Sequence, residues 1–159
     1  MALDPPKIEA MPERHFAGLM RRYDMQTRSA IPGQWRDYNQ SEPLLKNVIP
    51  NAWYGVCYNF GADMSFDYLS GMEVTDPAGL PQGVASVTIP AGAYARFATK
   101  GHISTMPAIW GEIFQDWLKR PDYRPRPGPS VEYYPPEFDG MTGDGGFEIW
   151  VPIEAQQGF

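Results

Sequence analysis

Cysteine and histidine are scarce in this sequence. The 159 residues include one cysteine, Cys57, and two histidines, His15 and His102. A single cysteine cannot form a disulfide within the chain, and zinc sites need several cysteine or histidine ligands at short spacings. Neither histidine has a carboxylate or thiolate partner at such a spacing. The sequence therefore predicts no disulfide framework, no metal site and no cofactor.

Basic clusters and long apolar runs are also missing. Lysine and arginine total 13 against 19 aspartates and glutamates, a net charge of −6, and the basic residues form no run. Nucleic-acid surfaces are basic, so we expect no direct nucleic-acid binding. No apolar stretch approaches the roughly 18 residues of a membrane helix, and the N-terminus lacks the pattern of a signal peptide. These absences predict a cytoplasmic protein without a membrane partner.

Aromatic side chains, in contrast, make up 14% of the chain. Large rings fill protein cores, but they also line pockets for flat or cationic ligands. No Ser-His-Asp arrangement or phosphate-binding loop stands out beside them. The length is that of one domain, residues 1–159, which can bury a substantial core.

Two helices are predicted. The first runs from Ile31 to Asn39 with Pro32 in its first turn, and Glu42-Pro43 ends it because proline disfavours helical geometry in the residue before it. The second runs from Pro107 to Leu118 and has a broad apolar stripe that includes Trp110. A stripe of this width indicates a helix that packs on a core.

The predicted strands surround these helices in two similar halves, about 7–76 and 84–154. Each half reads strand–helix–strand–strand, an order that favours an α+β fold: an antiparallel sheet with two helices packed on it and pseudo-twofold symmetry. A cleft is expected at the axis, because ligands often bind between repeated units. The segments 84–89 and 93–98 are either a strand pair or one bent strand. Strands are predicted at 15–20, 52–60, 66–74, 84–89, 93–98, 131–134 and 147–153.

The stretch Val131-Glu132-Tyr133-Tyr134 places a carboxylate within an aromatic strand. Side chains alternate along a strand, so Glu132 and Tyr134 share one face. A buried, unpaired carboxylate is costly, and such a group suits a cationic ligand or an acid–base step. The alternative is that Glu132 faces water on an ordinary strand. The repeat places Tyr54, on the equivalent strand, near Glu132.

Several of these segments together resemble the GyrI-like small-molecule-binding domain, which is also the effector-binding module of some AraC- and MerR-type regulators. The resemblance extends from about Lys7 to Glu154. It implies a tandem strand–helix–strand–strand fold and an aromatic pocket for lipophilic, often cationic compounds, with a central glutamate at the position of Glu132. The segments are Tyr68 with Gly71 and Glu73-Val74, Ile89 to Gly92 with Tyr94-Ala95 and Phe97, Trp110 with Trp117-Leu118, Val131-Glu132 with Tyr134, and Glu148 to Ile153.

We therefore predict a ligand site in which one carboxylate supplies charge and rings supply the walls. Cation–π contacts and a charge-assisted contact to the carboxylate together predict roughly micromolar binding. The candidate ligand-binding residues are Glu132, Tyr54, Tyr68, Trp110, Trp35, Tyr134 and Trp150.

Two other functions stay open. Some proteins of the resembled family hydrolyse strained cyclopropane rings of toxic natural products, which implies Glu132 as the catalytic residue if this chain is an enzyme. A protein-interaction or inhibitor module is the third possibility. Regulators of the family carry a helix-turn-helix domain, and nothing before Lys7 could hold one, so a stand-alone module is expected.

Overall fold

The computed structural model describes residues 4–41, 45, 47–119 and 122–155. Within these ranges the chain forms nine strands and two α-helices. Neither helix is long and apolar enough to cross a membrane. The helices are α1 (Ile31–Ser41) and α2 (Met106–Gln115); the strands are β1 (Lys7–Met11), β2 (Arg14–Tyr23), β3 (Trp53–Tyr58), β4 (Phe66–Val74), β5 (Ala85–Ile89), β6 (Gly92–Thr99), β7 (Tyr123–Pro125), β8 (Ser130–Tyr134) and β9 (Phe147–Ala155).

The strands form one antiparallel sheet in the order β1-β6-β9-β8-β3-β4-β2-β5, and β7 pairs separately with β9. The predicted α+β fold is confirmed, since β2-α1-β3-β4 and β6-α2-β8-β9 are the two strand–helix–strand–strand units. Each unit is preceded in the chain by a strand that pairs with the other unit. The strand before the first unit, β1, pairs with β6, and the strand before the second unit, β5, pairs with β2. The two halves are therefore joined by exchanged edge strands.

This exchange differs from one sequence prediction. The segments 84–89 and 93–98 do not form a strand pair, because β5 pairs with β2 while β6 pairs with β1 and β9. The hairpin of β3 and β4 is as predicted. Helix α1 begins as predicted at Ile31 and runs to Ser41, two residues past the predicted last residue Asn39, whereas the predicted stop signal Glu42-Pro43 lies outside the described residues.

Side-chain alternation along the strands gives the sheet a separate core on each face. Both helices lie on one face, the helix face, where Ile109 and Ile113 of α2 pack against Phe97 and Ile149. The opposite face has its own buried core, which includes Phe16, Tyr54, Val56, Leu69, Val131 and Trp150.

The sheet is strongly curled. The guanidinium carbon of Arg14 on β2 lies 5.1 Å from the ring centroid of Trp150 on β9. In a flat sheet these strands, with three others between them, would be about 19 Å apart at the usual inter-strand spacing of about 4.8 Å. The face opposite the helices is therefore concave. Gly18 and Gly71 pair across β2 and β4, where a side chain on either would overlap the backbone of the other strand.

Candidate functional site

Glu132 lies near the middle of the sheet, on β8 between β9 and β3, and only 6% of it is exposed. The predicted alternation is confirmed: Val131 packs in the concave core, whereas Glu132 and Tyr134 lie on the helix face. The alternative in which Glu132 faces water on an ordinary strand is wrong, because α1 and α2 cover this face.

Aromatic side chains donate hydrogen bonds to the carboxylate. The Tyr68 hydroxyl donates to Oε1 of Glu132 at 2.7 Å, and the Tyr134 hydroxyl donates to the same oxygen at 2.8 Å. The Trp110 side chain of α2 adds a further hydrogen bond. Glu132 is thus held by two strands and one helix.

Helix α1 orients the Tyr68 hydroxyl. The indole Nε1 of Trp35 donates to the Tyr68 oxygen at 2.9 Å, so the single proton of Tyr68 is available for Glu132. The rings of Trp35 and Tyr134 meet edge to face with centroids 5.5 Å apart. Trp35, Tyr68 and Tyr134 therefore form one connected aromatic wall around the carboxylate.

Gln34 fixes α1 to the sheet beside this wall. Its side chain is completely buried, and its Oε1 accepts a hydrogen bond from the Tyr23 hydroxyl at 2.6 Å. Its Nε2 lies within hydrogen-bond distance of the backbone oxygens of Leu19 and Tyr68, at 2.8 and 3.0 Å. This amide sets the height of Trp35 above β4, because the two residues are neighbours in the helix.

Gly55 leaves the space in which the central hydrogen bond forms. It pairs directly with Glu132 across β3 and β8. A Cβ at this position would lie 2.7 Å from Oε1 of Glu132 and would overlap the hydroxyl of Tyr68. Tyr68 and Glu132 can therefore meet only because the strand between them carries no side chain there.

Burial raises the pKa of Glu132, and the hydrogen bonds from Tyr68, Tyr134 and Trp110 offset part of that effect. Burial and the nearby Glu132 charge hold the pKa of Tyr68 and Tyr134 well above the ordinary value, so both phenols are neutral donors. Within the described part of the chain, no lysine or arginine forms an ion pair with Glu132. The charge of the ionised carboxylate has no cationic partner there.

Tyr54 and Trp150 are the two predicted site residues that do not join this cluster. Tyr54 pairs with Tyr133 in the register of β3 and β8, which turns its side chain to the concave face. There it packs on Phe16, with ring centroids 4.7 Å apart, and on Trp150 at 5.8 Å. The prediction that the repeat brings the Tyr54 side chain to Glu132 is wrong. The fold brings together the other five predicted residues, which are Glu132, Tyr68, Trp110, Trp35 and Tyr134.

Sequence reasoning missed two residues of the site, Gly55 and Gln34. A glycine inside a strand pattern often marks the close approach of another group, and this signal was present at Gly55. Gln34 had no comparable signal, because a glutamine in a short polar helix normally faces water. Among the described residues, no group of three or more His, Cys, Asp or Glu is placed to hold a metal ion.

The chain matches a known protein family. The family model of the GyrI-like small molecule binding domain matches residues 4–154. The transcriptional regulator BrlR of Pseudomonas aeruginosa PAO1 is 28% identical over 105 residues, which are 65% of this chain and 38% of the regulator. The chain thus spans well under half of the length of this relative.

Solved structures share the fold at low identity. SAV2435 bound to tetraphenylphosphonium superposes with a TM-score of 0.71 at 19% identity, covering 94% of this chain and 93% of that one. A hydrolase encoded by lin2189 from Listeria innocua superposes with a TM-score of 0.55 at 16% identity, covering 95% and 94%. These likenesses establish the architecture.

Proposed function

This chain belongs to the family of GyrI-like small molecule binding domains, and we propose that it binds a lipophilic organic cation at Glu132. One observation carries the proposal: a buried carboxylate receives its hydrogen bonds from uncharged aromatic side chains. The same site contains several rings, and the carboxylate is almost completely buried. A ligand that supplies positive charge and apolar surface together complements both features.

The charge argument rests on desolvation. Removing a carboxylate from water is costly, and neutral donors compensate that cost only in part. A cation placed beside Glu132 supplies the missing counter-charge, and a charge-assisted contact of this kind contributes about 1.5–3 kcal/mol. The same desolvation raises the pKa of Glu132. A neutral ligand of the same shape gains nothing from a charge-assisted contact with Glu132.

The surrounding rings favour a lipophilic cation over a hydrated one. Trp35, Trp110 and Tyr134 offer faces and edges within one cluster. Each good cation–π contact contributes about 0.5–2 kcal/mol. A few such contacts and one charge contact, after the ordering costs of binding, predict roughly micromolar affinity.

Entry requires a change in the packing of α2. Glu132 is almost completely buried, and Trp110 of α2 lies on it. Helix α2 carries an exposed apolar residue, Phe114, whose ring stacks on Trp110 with centroids 5.6 Å apart. Helix α1, in contrast, is fixed by the buried Gln34. We therefore infer that α2, rather than α1, moves to admit the ligand.

A pair of matched ligands tests the proposal. The cation methyltriphenylphosphonium and the neutral triphenylphosphine oxide have similar size and the same three rings. Tryptophan-fluorescence titration of the wild-type chain should give at least about tenfold tighter binding of the cation, which corresponds to about 1.4 kcal/mol. In Glu132→Gln, affinity for the cation should fall to that for the oxide.

The position of Glu148 supplies the matched control. Its carboxylate lies on the concave face, where Arg96 pairs with it, so Glu148→Gln removes the same charge from the other side of the sheet. This variant should keep the preference for the cation. Equal weakening of both ligands by Glu132→Gln, or a loss of preference in Glu148→Gln as well, would contradict the role of Glu132.

A hydrolase is the second candidate function, and the raised pKa of Glu132 favours it because such a carboxyl suits general acid–base catalysis. Glu132 would orient water towards a strained cyclopropane carbon. Turnover of such a substrate, abolished in Glu132→Gln, would support this candidate; binding of the substrate without consumption would leave the cation-binding function. The protein-interaction module stays a prediction.

A further inference from the structure

The start of α2 is tied to the loop between β8 and β9. A single 3-10 turn, Ile103–Thr105, leads directly into α2, and His102 caps this turn. The ring Nδ1 of His102 accepts a hydrogen bond from the backbone N–H of Ser104 at 3.1 Å, and its Nε2 lies 2.7 Å from the backbone oxygen of Thr142. We refer to these two contacts of His102 as the His102 bridge.

The backbones of the two segments also meet at this point. The N–H of Ile103 donates to the oxygen of Gly143 at 2.9 Å. Gly143 has a φ of +82°, and a Cβ there would lie 2.6 Å from Nε2 of His102. The loop therefore approaches the imidazole this closely only because position 143 carries no side chain.

Both of the segments that the His102 bridge joins pack on Tyr134. On the helix side, the Tyr134 hydroxyl lies 4.0 Å from Sδ of Met106, the first residue of α2. On the loop side, the ring of Phe138 packs on the Tyr134 ring with centroids 4.8 Å apart. The same hydroxyl donates to Glu132. The His102 bridge thus holds together the surroundings of a direct hydrogen-bond partner of Glu132.

The two contacts of the bridge require a neutral ring with its proton on Nε2. A backbone N–H can only donate, so Nδ1 must keep its lone pair for Ser104, and a carbonyl oxygen can only accept, so Nε2 must carry the proton for Thr142. A second proton occupies Nδ1 and leaves it only the Ser104 hydroxyl, at 2.9 Å, as a partner. It also adds positive charge at the N-terminal end of a helix, where the helix dipole disfavours it. Protonation therefore weakens the start of α2.

Solvent protons can reach this ring. His102 is exposed, and imidazole is the side chain that ordinarily changes its charge between about pH 5 and about pH 8. The turn Ile103–Thr105 carries no charged side chain. The charged residues of the adjoining chain and of the loop between β8 and β9 are Lys100, Glu137, Asp139 and Asp144.

We propose that His102 is a positioning residue of the Glu132 site, and that its protonation releases the start of α2 and speeds the entry of the ligand. This inference rests on the function proposed for Glu132, because it concerns the regulation of the same site. The neutral ring holds Met106 and the loop against Tyr134, and the protonated ring lets them separate. Mild acid therefore opens the path that a displaced α2 provides.

Two substitutions divide the bridge, and neither introduces a group that titrates. His102→Asn keeps an acceptor for the Ser104 N–H, since asparagine is a good N-cap, but its side chain is too short to reach Thr142. His102→Gln extends an amide N–H towards Thr142 and gives up the acceptor at the position of Nδ1. Stopped-flow tryptophan fluorescence measures the association rate constant of methyltriphenylphosphonium with each protein.

The rate constant of the wild type, divided by that of either variant, should rise about three- to tenfold between about pH 7.5 and about pH 5.5. Glu132 titrates in all three proteins, so its effect cancels in the ratio. A merely structural role of His102 predicts slower or faster binding at every pH alike. A ratio that is independent of pH would overturn the proposal.

Amide hydrogen exchange of the chain without ligand tests the bridge separately from the cation. The protection factor of the Ile103 N–H should fall about three- to tenfold in the wild type over the same pH range and stay constant in His102→Asn. Unchanged protection in the wild type would overturn the proposal even where the cation binds at Glu132. A fall in protection without any binding of the cation would support the release of α2 and contradict the function proposed for Glu132.

Discussion

The contribution of Glu132 to the stability of the fold changes with pH, and its burial sets the direction of that change. Its pKa in the folded chain is raised above the ordinary value of 4.5, chiefly by burial. The folded state therefore binds this proton more tightly than the unfolded state does. The contribution to stability is fully present below the ordinary pKa, and it is lost as the pH rises through the raised folded pKa.

A comparison of Glu132→Gln with the wild type should reveal this loss. We expect the free energy of unfolding of the wild type, relative to the variant, to fall as the pH rises from about 4 and to level off above the folded pKa, by about 1.4 kcal/mol per pKa unit. Urea unfolding across this range measures it. Carboxyls with a lowered pKa, such as Asp24 and Asp63, act equally in both proteins and cancel. A difference independent of pH would contradict the assignment.

Gly55 gives a second prediction at the scale of single residues. Gly55→Ala should destabilise the fold by about 1–3 kcal/mol, since its methyl group would overlap the Tyr68 hydroxyl. Tyr68→Phe removes that hydroxyl. The double variant should be less destabilised than the sum of the single variants, as measured by chemical unfolding. Strict additivity would mean that the methyl group is accommodated elsewhere.

The residues also show what a local pattern can and cannot reveal. Alternation along β8 correctly predicted that Glu132 and Tyr134 share a face. The register between β3 and β8 is a long-range property, and a shift of one residue turns every side chain to the other face. Tyr54 was therefore assigned to the wrong side, although its strand does pair with the strand of Glu132.

At the scale of elements, the two helices differ in how firmly they are held. Gln34 fixes α1 through buried hydrogen bonds to β2 and β4. Helix α2 packs on the sheet through Ile109 and Ile113 and contains Gly111 in its interior. A glycine inside a helix lowers its stability by roughly 0.5–1 kcal/mol relative to alanine. Because α1 contains a glycine as well, Gly33, the two helices differ chiefly in the buried Gln34 hydrogen bonds that hold α1 to the sheet.

Gly111→Ala should therefore stabilise α2 and weaken the binding of the ligand. A Cβ at Gly111 meets nothing within 4 Å, so the variant should gain about 0.5–1 kcal/mol of stability. If α2 must move for entry, the affinity for methyltriphenylphosphonium should fall about two- to fivefold, as fluorescence titration would measure.

Gly33→Ala in α1 is the matched control. Its Cβ would meet only the Arg36 side chain, at 3.4 Å, so a similar gain in stability is expected without a change in affinity. An equal loss of affinity in both variants would show that general stiffening, and not α2, limits entry.

The starts of both helices were predicted to within one residue, because prolines in the first turn and apolar stripes are local signals. The strand exchange could not be predicted in this way. β1 and β5 are short, and their partners lie in the other half of the chain. Which strand completes which edge depends on the curl of the whole sheet rather than on any segment of sequence.

For the whole molecule, the exchange makes the two halves interdependent. The half from about 7 to 76 lacks β5 at one edge and has β1 without its partner β6. The central contact of β3 with β8 also joins the halves. Each half alone would expose unpaired strand edges and both cores, so neither should fold by itself.

Two fragments cut in the turn between β4 and β5, residues 1–80 and 81–159, test this interdependence. Each fragment alone should give the circular dichroism of an unfolded chain. Mixed in equal amounts, they should recover the strand signal and bind methyltriphenylphosphonium. A fragment that folds alone would show that the exchanged strands are dispensable. Glu132→Gln in the second fragment should still assemble, which separates folding from binding.

The direct pairing of Gly55 with Glu132 limits how the sequence of this domain can evolve. A side chain at position 55 would occupy the space of the Tyr68 hydroxyl and of Oε1 of Glu132, so the glycine cannot change while both partners stay. Descendants of this domain that keep the acid at position 132 and the phenol at position 68 should therefore keep the glycine. A descendant with alanine at position 55 should carry a shorter side chain at position 132 or phenylalanine in place of Tyr68, and where the acid is lost its ligand should no longer be a cation.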